Sequence, residues 1–191
     1  NHYPNSLGMI YEAITFYLGW IPKCDEGIVM GLAPYGNAKE NILNKKYNYL
    51  DILRKIIVKK GNLGFEINKE WIVYHKVRNK WVSDKFYRLF GKKRNWKDKI
   101  EKKHKNLAAA LQLRLEEIVL SQLKYLKKKY KIDYLCLSGG VGLNCSLNGK
   151  IEQSKIFKKI FITPASGDAG ISIGACYLSH KRKVKNFKFK A

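Results

Sequence analysis

At 191 residues and 22.1 kDa, with 46% hydrophobic residues, the chain is long enough for one cored domain or for part of a larger one. The most apolar N-terminal stretch, Gly8 to Ile21, is interrupted by Glu12 and Thr15 and is too short to cross a bilayer, and no secretion signal is visible, so a cytoplasmic location without a membrane partner is expected. The net charge of +23, from 38 Lys and Arg against 15 Asp and Glu, invites a nucleic-acid partner, but the lysines are scattered through 39–60, 92–105, 124–131 and 181–190 and no RNP-type aromatic motif accompanies them; a lysine-solvated surface is the plainer reading, with nucleic acid as the alternative.

Ser6 is positioned as the N-cap of an amphipathic helix in which Leu7, Ile10, Tyr11, Ile14, Tyr17 and Leu18 recur at threes and fours until Gly19 ends it. In EGIVMGLAPYG, residues 26–36, Gly27, Gly31, Pro34 and Gly36 are dense enough to predict a loop rather than a regular helix or strand. Between 37 and 100 the pattern predicts a short helix over 49–58, strands over 64–68 and 71–74, a second short helix over 82–90 and a basic connector from Gly91 to Lys105. A long helix free of Gly and Pro follows over 105–130, with Leu107, Leu111, Leu115, Ile118, Val119, Leu123 and Leu126 as its apolar stripe and Lys127 to Lys129 complementing its C-terminal dipole. Cys24, Cys136, Cys145 and Cys176 show no CxxC spacing, and the apolar strand or helix surroundings of three of them predict reduced core thiols rather than disulfides or zinc ligands. His75, His104 and His180 lie among lysines with no ligand spacing, which predicts surface residues.

The stretch YLCLSGGVGLNCSLN, residues 134–148, predicts a buried strand running into a tight turn and then a helix. Gly139 and Gly140, lacking Cβ, would let a ligand lie on the backbone, and the first free N–H groups of the helix would meet a phosphate or polar edge; Asn144 would face that ligand. Such junctions also occur without a ligand, and the GxGxxG dinucleotide pattern fails because Cys145 stands where its third glycine should be. A strand at 159–163 leads into PASGDAGISIGACYL, a second strand-loop-helix junction carrying Asp168, which is either a helix cap or a ligand for a cation. A right-handed crossover puts both junctions at one edge of a parallel sheet, where open α/β sheets bind ligands.

Taken in order, SLGMIYEAITFYLGW, EGIVMGLAPYG, HKNLAAALQLRLEEIV, LSGGVGLNCSLNGKI and ITPASGDAGISIGACYL closely resemble the carbamoyltransferase family that includes nodulation and antibiotic carbamoylating enzymes, most weakly across 37–90. The resemblance implies an α/β chain forming the second half of an actin-like ATPase domain (ribonuclease H-like, as in the tRNA threonylcarbamoyl transferases, TsaD-like), with a mixed sheet flanked by helices and 37–100 as a variable, insert-like region. It implies ATP and carbamoyl phosphate as reactants, a carbamoyl-adenylate made by a separate YrdC-like domain, and transfer of the carbamoyl group to a hydroxyl of a sugar or antibiotic.

Residue by residue, Gly139, Gly140 and Asn144, with Val141 between them, match the family's nucleotide-contacting motif, and Asp168 matches an aspartate binding iron or a similar divalent ion. Ser6, Gly8 and Gly19 fall where the family's first helix approaches the ligand, and Gly31 on the opposite side of the cleft; Asn5 and Ile28 replace a His and a Lys that many members carry. The family's two metal-binding histidines and the other wall of its ATP cleft are not among these residues, so the chain is expected to need that first half and the YrdC-like domain, in cis or in trans, and to be inactive alone. The competing classes are a tRNA-binding or tRNA-modifying module and an inactive interaction fragment.

Overall fold

The computed structural model describes residues 2–42, 46–77 and 79–183; parts of the lysine-rich stretches 39–60 and 181–190 lie outside the described residues. In chain order the elements are α1 (Leu7–Tyr17), α2 (Glu26–Leu32) with a 3₁₀ turn (Ala33–Tyr35), α3 (Tyr49–Ile56), β1 (Ile57–Lys60), β2 (Gly64–Ile67), α4 (Asp84–Phe90), α5 (Lys102–Tyr130), β3 (Tyr134–Leu137), a second 3₁₀ turn (Gly140–Leu143), α6 (Cys145–Gln153), β4 (Lys159–Ile162) and α7 (Gly170–Lys183).

The 29-residue α5 is the axis against which α1, α2, α3 and α6 pack. Its start is fixed by the Glu101 N–H donating to His104 Nδ1 at 3.0 Å, and it ends where Lys131 turns left-handed at φ 55°. Leu107, Ala108, Ala110, Leu111, Leu115 and Ile118 are buried together with Ile10 and Ile14 of α1 and Leu50 and Leu53 of α3. The small side chains of Ala108 to Ala110 border a close approach: a Cβ on Gly36 would stand 2.0 Å from the Lys105 carbonyl oxygen. Arg94, only 4% exposed, reaches across to α1 by donating from Nε to the Leu18 carbonyl at 2.6 Å.

Several expectations change. The glycine-rich 26–36 stretch is helical: Gly27 and Gly31, four apart, lie on an exposed side where an added Cβ would meet nothing, so they weaken the helix without breaking it. Residues 71–74 form no strand; only Ile72 bridges to Val82. His104 is buried rather than on the surface, because its ring nitrogen caps α5, and His75 is half-buried.

The fold is mixed α/β, but among the described residues its strands form two separate pairs, not one mixed sheet: β1–β2 antiparallel and β3–β4 parallel, with Cys136 opposite Phe161. The β3–β4 pair is covered on one face only. Leu135, Leu137 and Ile160 pack on the core, while Tyr134 (65% exposed), Cys136 and Phe161 (48%) face water, so the strand at 134 is not buried as expected. All four cysteines are exposed, so none is the core thiol expected. Among the described residues no helix is long and apolar enough to cross a membrane.

Candidate functional site

The glycine turn and the GDAG turn meet at the C-terminal edge of the parallel pair. Gly139, at φ 103°, adopts a backbone conformation that side chains resist, and its N–H donates to the Ser166 carbonyl at 2.7 Å, tying one turn to the other. Gly142 packs so closely on Ser166 that an added Cβ would approach its side chain to 3.1 Å, and Gly167 packs beside Leu143 and Gly140. Ser138, Gly139 and Gly140 are exposed, and a Cβ at either glycine would meet nothing within 4 Å. The turn is therefore held from behind and open in front, which is the shape a ligand-bearing backbone needs.

α1 supplies the neighbouring wall. Ser6 accepts from the Met9 N–H at 3.3 Å and starts the helix, and Gly8 lies in van der Waals reach of Val141, so Ser6, Gly8 and the glycine turn are brought together. Gly19 is not: it stands beyond the far end of the 11-residue α1, about 16 Å of helix away, and its missing Cβ is accounted for by the Arg94 carbonyl, which would lie 2.5 Å from one. Gly31 is exposed in the last turn of α2, next to Met30, whose sulfur lies 3.6 Å from that of Cys145 at the start of α6.

Asn144 caps α6 by accepting from the Leu147 N–H at 2.8 Å. Its amide also pairs face to face with Gln112 of α5, donating at 2.9 Å and accepting at 3.1 Å. Gln112 accepts in addition from the Tyr11 hydroxyl at 2.9 Å and donates to Glu116 at 2.8 Å. Burial holds the Tyr11 phenol protonated well above its ordinary range, so it remains a donor at neutral pH. Gln112 and Glu116 escaped the sequence reading, and Tyr11 entered it only as part of the apolar stripe of α1, although Gln112 falls in the arc of α5 occupied by Ala108, Leu111 and Leu115, where a polar residue needs a partner. Glu12, on the next position of α1, has its carboxyl pushed up by burial and by Glu26.

Asp168 is exposed in the turn two residues before α7 and adjacent to Gly167, hence beside the glycine turn. Among the described residues no group of three or more His, Cys, Asp or Glu could hold a metal ion, so Asp168 offers one donor and these residues do not by themselves fit an iron site.

The family described as Carbamoyltransferase N-terminus matches residues 1–177. The chain belongs to the carbamoyltransferase family. This carbamoyltransferase chain is 33% identical over 174 residues to the nodulation protein NolO of Bradyrhizobium diazoefficiens, covering 91% of the chain and 28% of that relative. It is 35% identical to an uncharacterized protein of Synechocystis over 96% of the chain and 30% of the relative. A tRNA N6-adenosine threonylcarbamoyltransferase of Lactococcus lactis is 27% identical over 84 residues, 42% of the chain and 25% of that protein. The carbamoyltransferase chain thus spans under a third of the length of these relatives.

Proposed function

We propose that this chain is the nucleotide-facing second half of an actin-like, TsaD-like carbamoyltransferase domain, taking part in transfer of a carbamoyl group from a carbamoyl-adenylate to a hydroxyl of a sugar or antibiotic-like acceptor. The observation that supports it is the open glycine turn braced by Gly139 on Ser166 in a chain of this family. Gly139, Gly140 and Val141 would hold the nucleotide along the turn, with Ser6 and Gly8 alongside and Asn144 fixing the start of α6 through Gln112. ATP and carbamoyl phosphate would supply the activated carbamoyl group. The work of these residues is positioning, which in group transfer can contribute most of the rate. Gly31 would face the nucleotide from α2 with its neighbour Met30, and Asp168 would add a donor to a divalent-ion site, such as iron, completed from outside these residues. Gly19 acts on the site only by letting α1 end tightly against Arg94.

The whole reaction needs the first half of the domain and a YrdC-like domain in cis or in trans, and the isolated chain is inactive. It works in the cytoplasm. The test uses calorimetry with ATP and ADP on a protein containing this chain and its partner half. Gly140→Val fills the front of the turn without touching the core and is expected to weaken nucleotide affinity at least about tenfold, close to 1.4 kcal/mol, with an unchanged thermal midpoint. Asn144→Ala is expected to weaken it as well. Unchanged affinity in Gly140→Val would overturn the assignment. The second reading, a tRNA-binding module, is favoured by the net charge of +23 and by the likeness to the threonylcarbamoyltransferase; a steeply salt-dependent tRNA complex with no nucleotide binding would select it.

A further inference from the structure

A recess of about 500 Å³, within the size range of small-molecule sites, opens between α5, α6 and the segment that follows α2. None of residues 138–143 lines it, nor do Asn144 or Asp168. Its floor is one stripe of α5, Ala109, Gln112, Leu113 and Glu116, at the i, i+3, i+4, i+7 spacing that keeps side chains on one face over about 10 Å. Ser146 and Lys150, one turn apart on α6, form one wall, and Pro34 with Gly36 to Lys39 the other.

The chemistry of this recess is graded. Gln112 and Glu116 are 6% and 8% exposed, and Glu116 uses Oε1 to accept from Gln112; among the described residues its Oε2 accepts no hydrogen bond. The Oε2 of Glu116 is an acceptor for hydroxyl groups, whereas the Gln112 amide, which accepts from Tyr11 and Asn144 and donates to Asn144 and Glu116, is fully used and holds Glu116 in place. Ala109, Leu113 and Pro34 offer an apolar surface for the C–H face of a ring. At the rim Lys39 and Lys150 have no carboxylate partner among the described residues, while Glu40, next to Lys39, is already paired with Lys102. Unpaired lysines are common in so basic a chain; these two are set apart by flanking a recess floored with a buried carboxylate and amide.

Other ligand classes fit less well. A cation would meet the lysines, a purely apolar molecule would strip water from Glu116 without replacing its hydrogen bonds, and a nucleobase would find no aromatic side chain among the lining residues. We infer that this cleft is a binding site for a phosphorylated monosaccharide, its hydroxyls on Glu116 and Ser146 and its phosphate on Lys39 and Lys150. The site is separate from the glycine turn and does not depend on the nucleotide reading.

Calorimetry on the protein with glucose 6-phosphate, mannose 6-phosphate and ribose 5-phosphate as probes tests it, with glucose and inorganic phosphate as controls. At least one sugar phosphate is expected to bind at least about tenfold more tightly than either control, a difference of 1.4 kcal/mol. Lys150→Met and Ser146→Ala, at exposed and half-buried positions, should each weaken that binding about threefold to tenfold, and Glu116→Gln more, with folding followed by circular dichroism; Gly140→Val should leave it unchanged. No saturable binding of any probe at about 10 mM, equal binding of phosphate alone, or indifference to both Lys150→Met and Ser146→Ala would overturn the inference.

Discussion

Replacing Gln112 by alanine removes four hydrogen bonds at once: those with the Tyr11 hydroxyl, Glu116 and, twice, Asn144. The Tyr11 hydroxyl is left as a donor in a side chain only 5% exposed, and such an orphan costs about 1–3 kcal/mol. Glu116 loses one partner at a similar penalty, partly relieved because it borders the cleft, and Asn144 retains its cap to Leu147. The expected loss is about 3 kcal/mol, or roughly 6–12 °C in thermal midpoint for a chain of this size. Urea unfolding followed by circular dichroism measures it. A double-mutant cycle with Tyr11→Phe isolates the long-range bond and should give a coupling of about 1 kcal/mol. A loss below about 0.5 kcal/mol for Gln112→Ala, or strict additivity in the cycle, would refute the network as a tie between α1, α5 and α6.

Two glycines should respond oppositely to alanine. Gly36→Ala drives a Cβ into the Lys105 backbone and should destabilise by about 3 kcal/mol or more, while Gly31→Ala, in open space on α2, should stabilise by about 0.5–1 kcal/mol; denaturant midpoints distinguish them. The His104 pKa is pushed below 6.5 by burial, with Lys103 adding to the shift. Between the lowered value and 6.5 the unfolded chain holds a proton that the folded chain lacks, so stability is highest above pH 6.5 and falls as the pH drops through that window. Unfolding titrations should show a shallower pH slope in His104→Gln, with His75, also pushed down by burial, accounting for part of what remains. The chain on its own should retain no stoichiometric iron after dialysis, because Asp168 is a single donor; elemental analysis finding one iron per chain would contradict this.

The elements legible in the sequence are those whose pattern is local. α1 begins at Ser6 as its capping side chain and apolar spacing require, and α5 spans the uninterrupted stripe, starting three residues earlier than predicted because His104 extends the cap back to Glu101. β3 and β4 lie where the apolar runs end in glycine turns, but alternation cannot reveal what covers each face, so the exposure of Tyr134, Cys136 and Phe161 was not readable. α2 is hidden by its glycine density, whereas the four-residue spacing of Gly27 and Gly31 puts both on one helical face. At the candidate site the glycine turn and its neighbour were visible as motifs. The bond from Tyr11 to Gln112 spans 101 positions, and no periodicity points to a partner so distant.

The close contact of Gly36 with Lys105, together with the Asn37 N–H donating to Asn106 at 2.8 Å, means that the chain departs from the α2 region and comes back to it at almost the same place. Everything from 38 to 101 is a detour whose two ends are clasped. Lengthening its exposed turns adds only a logarithmic entropy term, but α3 packs on α5 and Arg94 holds the end of α1, so its core-facing residues have to stay. An engineer can therefore graft a new surface onto its exposed turns, whereas exchanging the whole portion would uncover the core faces of α1 and α5.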